Sequence, residues 1–186
     1  MSEPDRQFEG VNVLLGVSGG VAAYKAVDLA SRLTAIGASV KTIMTQNACE
    51  LVRPRSFEAV TRSEVFTNIW SLPQEYKIGH ISLVEWANVI VIAPATANII
   101  GKIANGICDD LLSTMMCAAH KKAVLIAPAM NNNMWDNPAV QRNVKTIREM
   151  KYEMVGPEEG RLACGTKAVG RMSEPQDIIR KIAEMI

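Results

Sequence analysis

A chain of 186 residues is long enough to fill one hydrophobic core, and no second apolar pattern asks for another, so residues 1–186 are read as a single domain. Its 20 basic and 19 acidic residues leave a formal net charge of +1, too weak a field to argue for nucleic acid or an anionic membrane, and a small-molecule partner is expected instead. The opening "MSEPDRQFEG" lacks the basic and apolar stretches of a secretory signal, and no apolar run approaches the ~18 residues of a spanning helix, so a soluble, cytoplasmic protein is expected.

The predicted elements alternate. "VNVLLGV", Val11 to Val17, reads as a strand, "SGG" as a tight turn, and Val21 to about Ile36 as a helix closing at Gly37. "ASVKTIMT", Ala38 to Thr45, is the next strand, completing a βαβ crossover that implies a parallel sheet. "NVIVIAPA", Asn88 to Ala95, and "AVLIAPAM", Ala123 to Met130, are continuous apolar runs stopped by Ala-Pro, as central strands covered on both faces would be. Helices are expected at roughly Ser56 to Thr61, Ile81 to Ala87, Ile99 to Ala104, Asp109 to Ala119 and Pro138 to Glu149. "YEMVG" adds a short strand and "EPQDIIRKIAEMI" a terminal helix with Pro175 in its first turn. The sum is an α/β fold, a three-layer sandwich around a doubly wound parallel sheet of flavodoxin or Rossmann type, with its ligand beyond the carboxyl ends of the strands.

Those ends carry the candidate site residues. In "GVSGG", Gly19 and Gly20 let backbone N–H groups turn inward beside a helix N-terminus, which favours phosphate; a plain turn is the alternative, and neither Walker A nor GxGxxG is present. Thr45 either adds a hydroxyl to that anion or caps a following helix. Thr96, Ala97 and Asn98 form a polar step suited to a flat heterocycle, or equally the cap of the next helix. Asp109 and Asp110 are neighbours on different helix faces, which argues for capping over paired acid/base work. The three asparagines of "PAMNNNMW", bracketed by methionines and a tryptophan, belong at a recess, because buried amides need partners. Cys49, Cys108, Cys117 and Cys164 form no CxxC pair and only His80 and His120 are at hand, so no metal site is expected. Cys108 and Cys117 fall on predicted apolar helix positions and read as packing, whereas Cys164 sits in the polar, glycine-rich "GRLACGTKAV".

"PAMNNNMW" matches the PxMNxxMW signature of the flavin-dependent cysteine decarboxylases (HFCD flavoproteins), and "GRLACGTKAVGRMSEP" resembles their substrate-clamp segment. "GHISLVEWANVIVIAPATANIIGKIANGICDDLLS" is similar to the stretch with their histidine and flavin-contact step, so the resemblance runs from about Val11 to the C-terminus. It implies FMN, with phosphate near Gly19, Gly20 and Thr45 and ring near Thr96, Ala97, Asn98, Ile99 and Ala129. Some relatives have serine at the position of Gly20, a hydroxyl this chain lacks. His80 corresponds to the family's active-site histidine, and a helix entry independently favours its neutral form. Asn131 would hold the substrate carboxylate and Arg161 its phosphate or carboxylate; Lys167 and His120 read as solvated. Cys164 would return a proton to carbon, a thiol of pKa ~8.5 being mostly protonated at neutral pH. Gly156, Gly160, Gly165 and Gly170 suggest the hinges of a lid.

The activity so implied is FMN-dependent decarboxylation of 4'-phosphopantothenoylcysteine to 4'-phosphopantetheine in coenzyme A biosynthesis, by way of a thioaldehyde and an ene-thiolate. Decarboxylation of a peptide's C-terminal cysteine, as in lantibiotic-processing relatives, is the sister reading; a non-catalytic regulatory homologue and a flavin prenyltransferase are more distant ones. The resemblance further implies a homo-oligomer, a trimer that can build a dodecamer.

Overall fold

The computed structural model describes residues 7–71, 79–161, 165 and 167–186, with Ser71, Gly79 and His80 placed by backbone only. Six parallel strands, β1 (Asn12–Val17), β2 (Ser39–Met44), β3 (Val65–Phe66), β4 (Val89–Ala95), β5 (Ala123–Pro128) and β6 (Glu153–Met154), form one sheet in the order β3-β2-β1-β4-β5-β6. Strand order therefore reverses between β1 and β4, as in doubly wound dinucleotide-binding folds.

Alternation along the central strands builds both outer layers. Val13, Leu15, Val17, Val89, Val91, Leu125 and Ala127 face one side, where α1 (Ala23–Ala35), α3 (Pro54–Thr61) and α9 (Pro175–Met185) supply Leu29, Leu33, Phe57, Ile178 and Ile182. Leu14, Ile90, Ile92, Val124 and Ile126 face the other, against Leu83, Ile99, Ile103, Leu112, Met115 and Ile147 from α4 (Gly79–Trp86), α5 (Ala97–Asn105), α6 (Leu111–Ala118) and α8 (Pro138–Glu149). Each fully buried side chain of this size contributes roughly 1.5–3 kcal/mol of transfer free energy, which is why continuous apolar runs become central strands. No described helix is long and apolar enough to cross a membrane.

Five elements go beyond the sequence reading, and one helix starts earlier than expected. Thr45 starts a short helix, α2 (Gln46–Leu51), and α3 begins at Pro54, two residues before the expected Ser56, with proline at its first position. β3 is a two-residue edge strand, and α7 (Asn132–Trp135) a single turn within the asparagine segment. The glycine-bearing segment after residue 156 contains an antiparallel ribbon, β7 (Glu158–Arg161) with β8 (Lys167–Arg171). Gly160 and Gly170 lie within its strands. Gly160 leaves room for the Arg171 side chain, whose Nε would be 2.8 Å from a Cβ there, and a Cβ at Gly170 would strike the Met130 carbonyl.

The expectation that Cys108 and Cys117 serve packing is corrected: both are exposed. Asp110, not Asp109, caps α6, so Cys108 precedes the helix, and the helical period gives Leu111, Leu112, Met115 and Met116 the buried face while Cys117 turns outward.

Thr42 on β2 is 1% exposed, and its hydroxyl has no hydrogen-bond partner. An unsatisfied buried hydroxyl costs about 1–3 kcal/mol, and valine has nearly the same shape. Thr42→Val is therefore expected to raise unfolding free energy by about 1 kcal/mol, read as a higher urea midpoint at unchanged slope; a lower midpoint contradicts it.

Candidate active site at the strand-order switch

Ser18 follows β1 and is 2% exposed. Its hydroxyl donates to the Pro94 carbonyl at 2.7 Å and accepts the Thr96 N–H at 3.0 Å. These bonds join the carboxyl ends of β1 and β4, the two strands flanking the switch, and a cavity of about 1300 Å³ opens beside them. Single small molecules usually occupy ~300–1,000 Å³, so this space accommodates a cofactor and a substrate together.

One wall is the Ser18–Gly20 turn and the start of α1. A Cβ at Gly19 would strike Asn47, so α2 can approach this turn only because residue 19 is glycine. Thr45, Thr96, Asp110, Asn131 and Asn137 cap α2, α5, α6, α7 and α8 through their side chains. The thirteen-residue α1 has no such cap at Ala22, and its first turn has no proline. Turn bonds take up the Ala23 N–H, to the Gly20 carbonyl, and the Lys25 N–H, to the Ala22 carbonyl, both at 2.9 Å, and the positive dipole end of the helix faces the cavity wall at Gly19–Ala22, an arrangement that suits a phosphate. Thr45 combines both roles expected of it: its Oγ1 accepts the Ala48 N–H at 3.2 Å, and the residue also lines the cavity. Its hydroxyl proton remains a donor.

Thr96 and Asn98 line the cavity, with Thr96 also capping α5 by accepting the Ile99 N–H at 3.4 Å. Two neighbours differ from expectation. Ala97 faces a shallow recess with Gly101, and Ile99 is fully buried in the core. Successive residues on a helix are turned by about 100°, so Asn98 and Lys102 share the cavity face while Ile99 points into the sheet. Lys102 is bound by Asp109 at 2.6 Å and Asp110 at 2.7 Å. Burial works to lower its pKa, but hydrogen bonds to the two carboxylates outweigh that and raise it, and the same bond holds Asp109 below the carboxylate range. The two aspartates thus cap a helix and neutralise a lysine.

The facing wall follows β5. Ala129, Met130, Asn131 and Met134 line it, and the Asn131 Oδ1 accepts the Asn133 N–H at 2.8 Å, which fixes the plane of its amide. The ribbon docks on this segment through the Met130 N–H to the Gly170 carbonyl, 2.9 Å. Arg161 lines the cavity from β7, whereas Lys167 is exposed beside Glu159, 3.7 Å away. Sequence reasoning missed the cluster behind Arg161. Arg171 bonds Glu158 at 2.9 Å and Glu174 at 3.2 Å, and Glu174 in turn accepts from Lys25 of α1 at 2.8 Å. "GRMSEP" and the lysine after the glycine turn carried that signal, as charges beside a predicted cavity.

His80 lies in the first turn of α4, with its side chain outside the described residues, as is Cys164 altogether. His120 is exposed. Among the described residues no group of three or more His, Cys, Asp or Glu could hold a metal ion.

The family model described as Flavoprotein matches residues 1–186. The coenzyme A biosynthesis bifunctional protein CoaBC of Bacillus subtilis is 50% identical over 173 residues, 93% of this chain and 42% of that protein. The chain thus spans about two fifths of the length of such curated relatives. Among solved structures, a PPC decarboxylase mutant complexed with pantothenoylaminoethenethiol superposes with TM-score 0.85 at 34% identity, covering 92% of this chain and 96% of that one. The FMN-dependent cysteine decarboxylase SpaF gives TM-score 0.80 at 36% identity, covering 94% and 96%.

The Lys25 hydrogen bond holds the Glu174 carboxyl below its ordinary value, against a smaller opposing effect of burial. A group with a depressed folded-state pKa stabilises the fold above its unfolded value, ~4.3, and loses that contribution as pH falls through the folded value. Glu174→Gln should be less stable than the parent at pH 7, by no more than about 1 kcal/mol because the carboxylate is partly exposed. That gap should close on acidification below about pH 4 in urea titrations. A gap that widens in acid contradicts the assignment.

Proposed function

The chain belongs to the flavoprotein family, and from that premise we propose that it is an FMN-dependent decarboxylase that converts 4'-phosphopantothenoylcysteine to 4'-phosphopantetheine in coenzyme A biosynthesis. One observation carries the reading: a single cavity is lined by the uncapped α1 N-terminus, the Thr96 and Asn98 step, and Asn131 with Arg161. Residues 1–186 act as one decarboxylase domain of a cytoplasmic protein in this proposal.

The cavity residues fit the cofactor. The Gly19 N–H and the positive end of α1, with the Thr45 hydroxyl, hold its phosphate; Gly20 closes the turn by donating its N–H to the Ser18 carbonyl at 2.8 Å, and a Cβ there would lie 3.2 Å from Thr96 Cγ2, so the turn leaves little space for a larger residue. Thr96, Asn98 and Ala129 flank the ring, Ala97 and Ile99 contributing only through the α5 backbone that they complete. FMN held there would supply a reversible two-electron oxidation of the cysteinyl group, an electron sink while carboxylate leaves as carbon dioxide and the source of the same two electrons when the product is reduced to the saturated thiol.

The chain's own residues do the rest. Asn131, its Oδ1 committed to the α7 cap, donates through Nδ2 to the substrate carboxylate. Arg161 attracts the substrate's anionic end from across the cavity, and His80 at the entry of α4 accepts the thiol proton or shapes the carboxylate pocket. Cys164 Sγ gives a proton to the carbon that has lost its carboxylate, as a thiol protonated at neutral pH can. The chain assembles as a homo-oligomer with a trimer as its unit, a reading supported by exposed Val21, Tyr24 and Met134 along the cavity rim. The likeness to the cysteine decarboxylase SpaF supports a wider class of cysteinyl substrates, among which the C-terminal cysteine of a peptide is the second reading.

The test is to purify the protein, record its visible spectrum with FMN, and follow carbon dioxide from phosphopantothenoylcysteine and from a cysteine-terminated peptide in competition. Flavin absorbance and release from the phosphorylated substrate are expected; a colourless, inactive protein that refuses FMN overturns the proposal. Cys164→Ser should release carbon dioxide yet accumulate an oxidised product, and normal phosphopantetheine output would remove Cys164 from the reaction. Asn131→Asp sets like charges together and should cut turnover on the order of 100-fold.

A further inference from the structure

Two thiols remain outside the cavity, on the outer side of α6. Cys108 lies in the loop between α5 and α6, and Cys117 on α6 itself, both exposed. The Thr114 hydroxyl donates to the Cys108 carbonyl at 3.3 Å, laying the loop over the helix face on which Cys117 follows Thr114 by three residues, one turn along. The two thiols lie near enough for each to act on the other's ionisation, and the Cys108 Sγ donates to the Gly106 carbonyl at 3.5 Å.

The loop has little freedom to separate them. On one side of Cys108 the Ile107 N–H bonds the Lys102 carbonyl at 3.0 Å; on the other, Asp110 and Ser113 form a reciprocal capping box, and Lys102 binds both aspartates. Two thiols held near one another by the fold meet at a high effective concentration. Cys49 packs against the core on the opposite face of the sheet, with α1 and α3, and is not a partner for either.

We infer that Cys108 and Cys117 form a dithiol site that closes into an intramolecular disulfide by exchange with low-molecular-weight disulfides. One thiolate attacks the incoming disulfide: a mixed S–S bond forms, the incoming bond breaks, and a small thiol leaves with the proton. The second protein thiolate then displaces the other half. In sum two protein thiols are oxidised, and one small disulfide is reduced to two thiols carrying the two protons.

Burial, the neighbouring Cys117 thiol, and the nearby Asp109 and Asp110 all push the Cys108 thiol above its ordinary pKa. The charged and titratable groups around the pair are these aspartates with Lys102 beside them, and Tyr152, whose phenol is itself raised, first by burial and then by Cys117. Closure needs Cys108 as thiolate, so its rate should rise with pH about tenfold per unit below the raised value.

The experiment treats the folded protein with oxidised glutathione, alkylates remaining thiols, and digests with a protease that cuts before aspartate, separating the two cysteines at Asp109. Linked Cys108 and Cys117 peptides that separate on reduction are expected, with glutathione on neither, while Cys108→Ser and Cys117→Ser each keep glutathione on the remaining thiol. Exposed serines should leave the melting temperature unchanged, and if either variant fails to fold the wild-type map decides alone. Wild-type protein that keeps glutathione on both residues, leaves both unreacted, or links them only between chains overturns the inference.

Discussion

The Ser18 hydroxyl occupies the point on which the cavity depends. Donating to Pro94 and accepting from Thr96, it fastens the ends of β1 and β4 where their crossovers leave toward opposite faces of the sheet. Helices depart on either side and leave a space between them, the general reason ligands of open α/β sheets gather at this position. The same bond fixes Thr96, which caps α5 and thereby sets the direction of Asn98 and Lys102. On the other side the chain turns through glycine into a helix whose N–H groups lack a side-chain cap. A missing cap normally costs about 1 kcal/mol of helix stability, a cost an anion bound there would offset.

A second constraint ties the ribbon to this frame. Arg171 lies over Gly160 and joins Glu158 to Glu174, and Glu174 joins Lys25 of α1, the helix whose first turn faces the cavity. Together with the close approach of Gly170 to Met130, these contacts hold the ends of β7 and β8 in one position against the asparagine segment. Arg161 is thereby presented by a paired strand, so its placement follows from the sheet and from buried glycine contacts rather than from a swinging loop.

Much of this was legible in the sequence, and the misses have physical causes. Apolar runs from Val13, Val40, Val89 and Ala123 stand out because strands buried on both faces need unbroken hydrophobicity. The ribbon did not, since "EEGR" has no apolar residue and "KAVGR" only the adjacent pair Ala168 and Val169, with no alternation in either, and tertiary contacts of Gly160, Gly170 and Arg171 accompany the pairing. α2 and α7 are too short for a helical period to show. Within the candidate site, Gly19, Thr45, Thr96 and Asn131 were visible as turn and cap chemistry at strand ends. Ala97 and Ile99 lie outside the cavity lining that Thr96 and Asn98 share, because the 100° step between helical neighbours turns adjacent residues of a motif to different sides. Cys108 and Cys117 were misread by a shift of helix start from Asp109 to Leu111, and Ser18 was passed over as part of a glycine turn.

The central claim is that the uncapped end of α1 beside the Ser18 anchor binds a phosphate and so positions a flavin. Calorimetric titration of the flavin-free protein with FMN and with riboflavin, which differ by that phosphate, tests it most directly. The account predicts that FMN binds more tightly on the order of 100-fold, about 2.7 kcal/mol, with the advantage shrinking as salt is added. Equal affinities for the two flavins would contradict it.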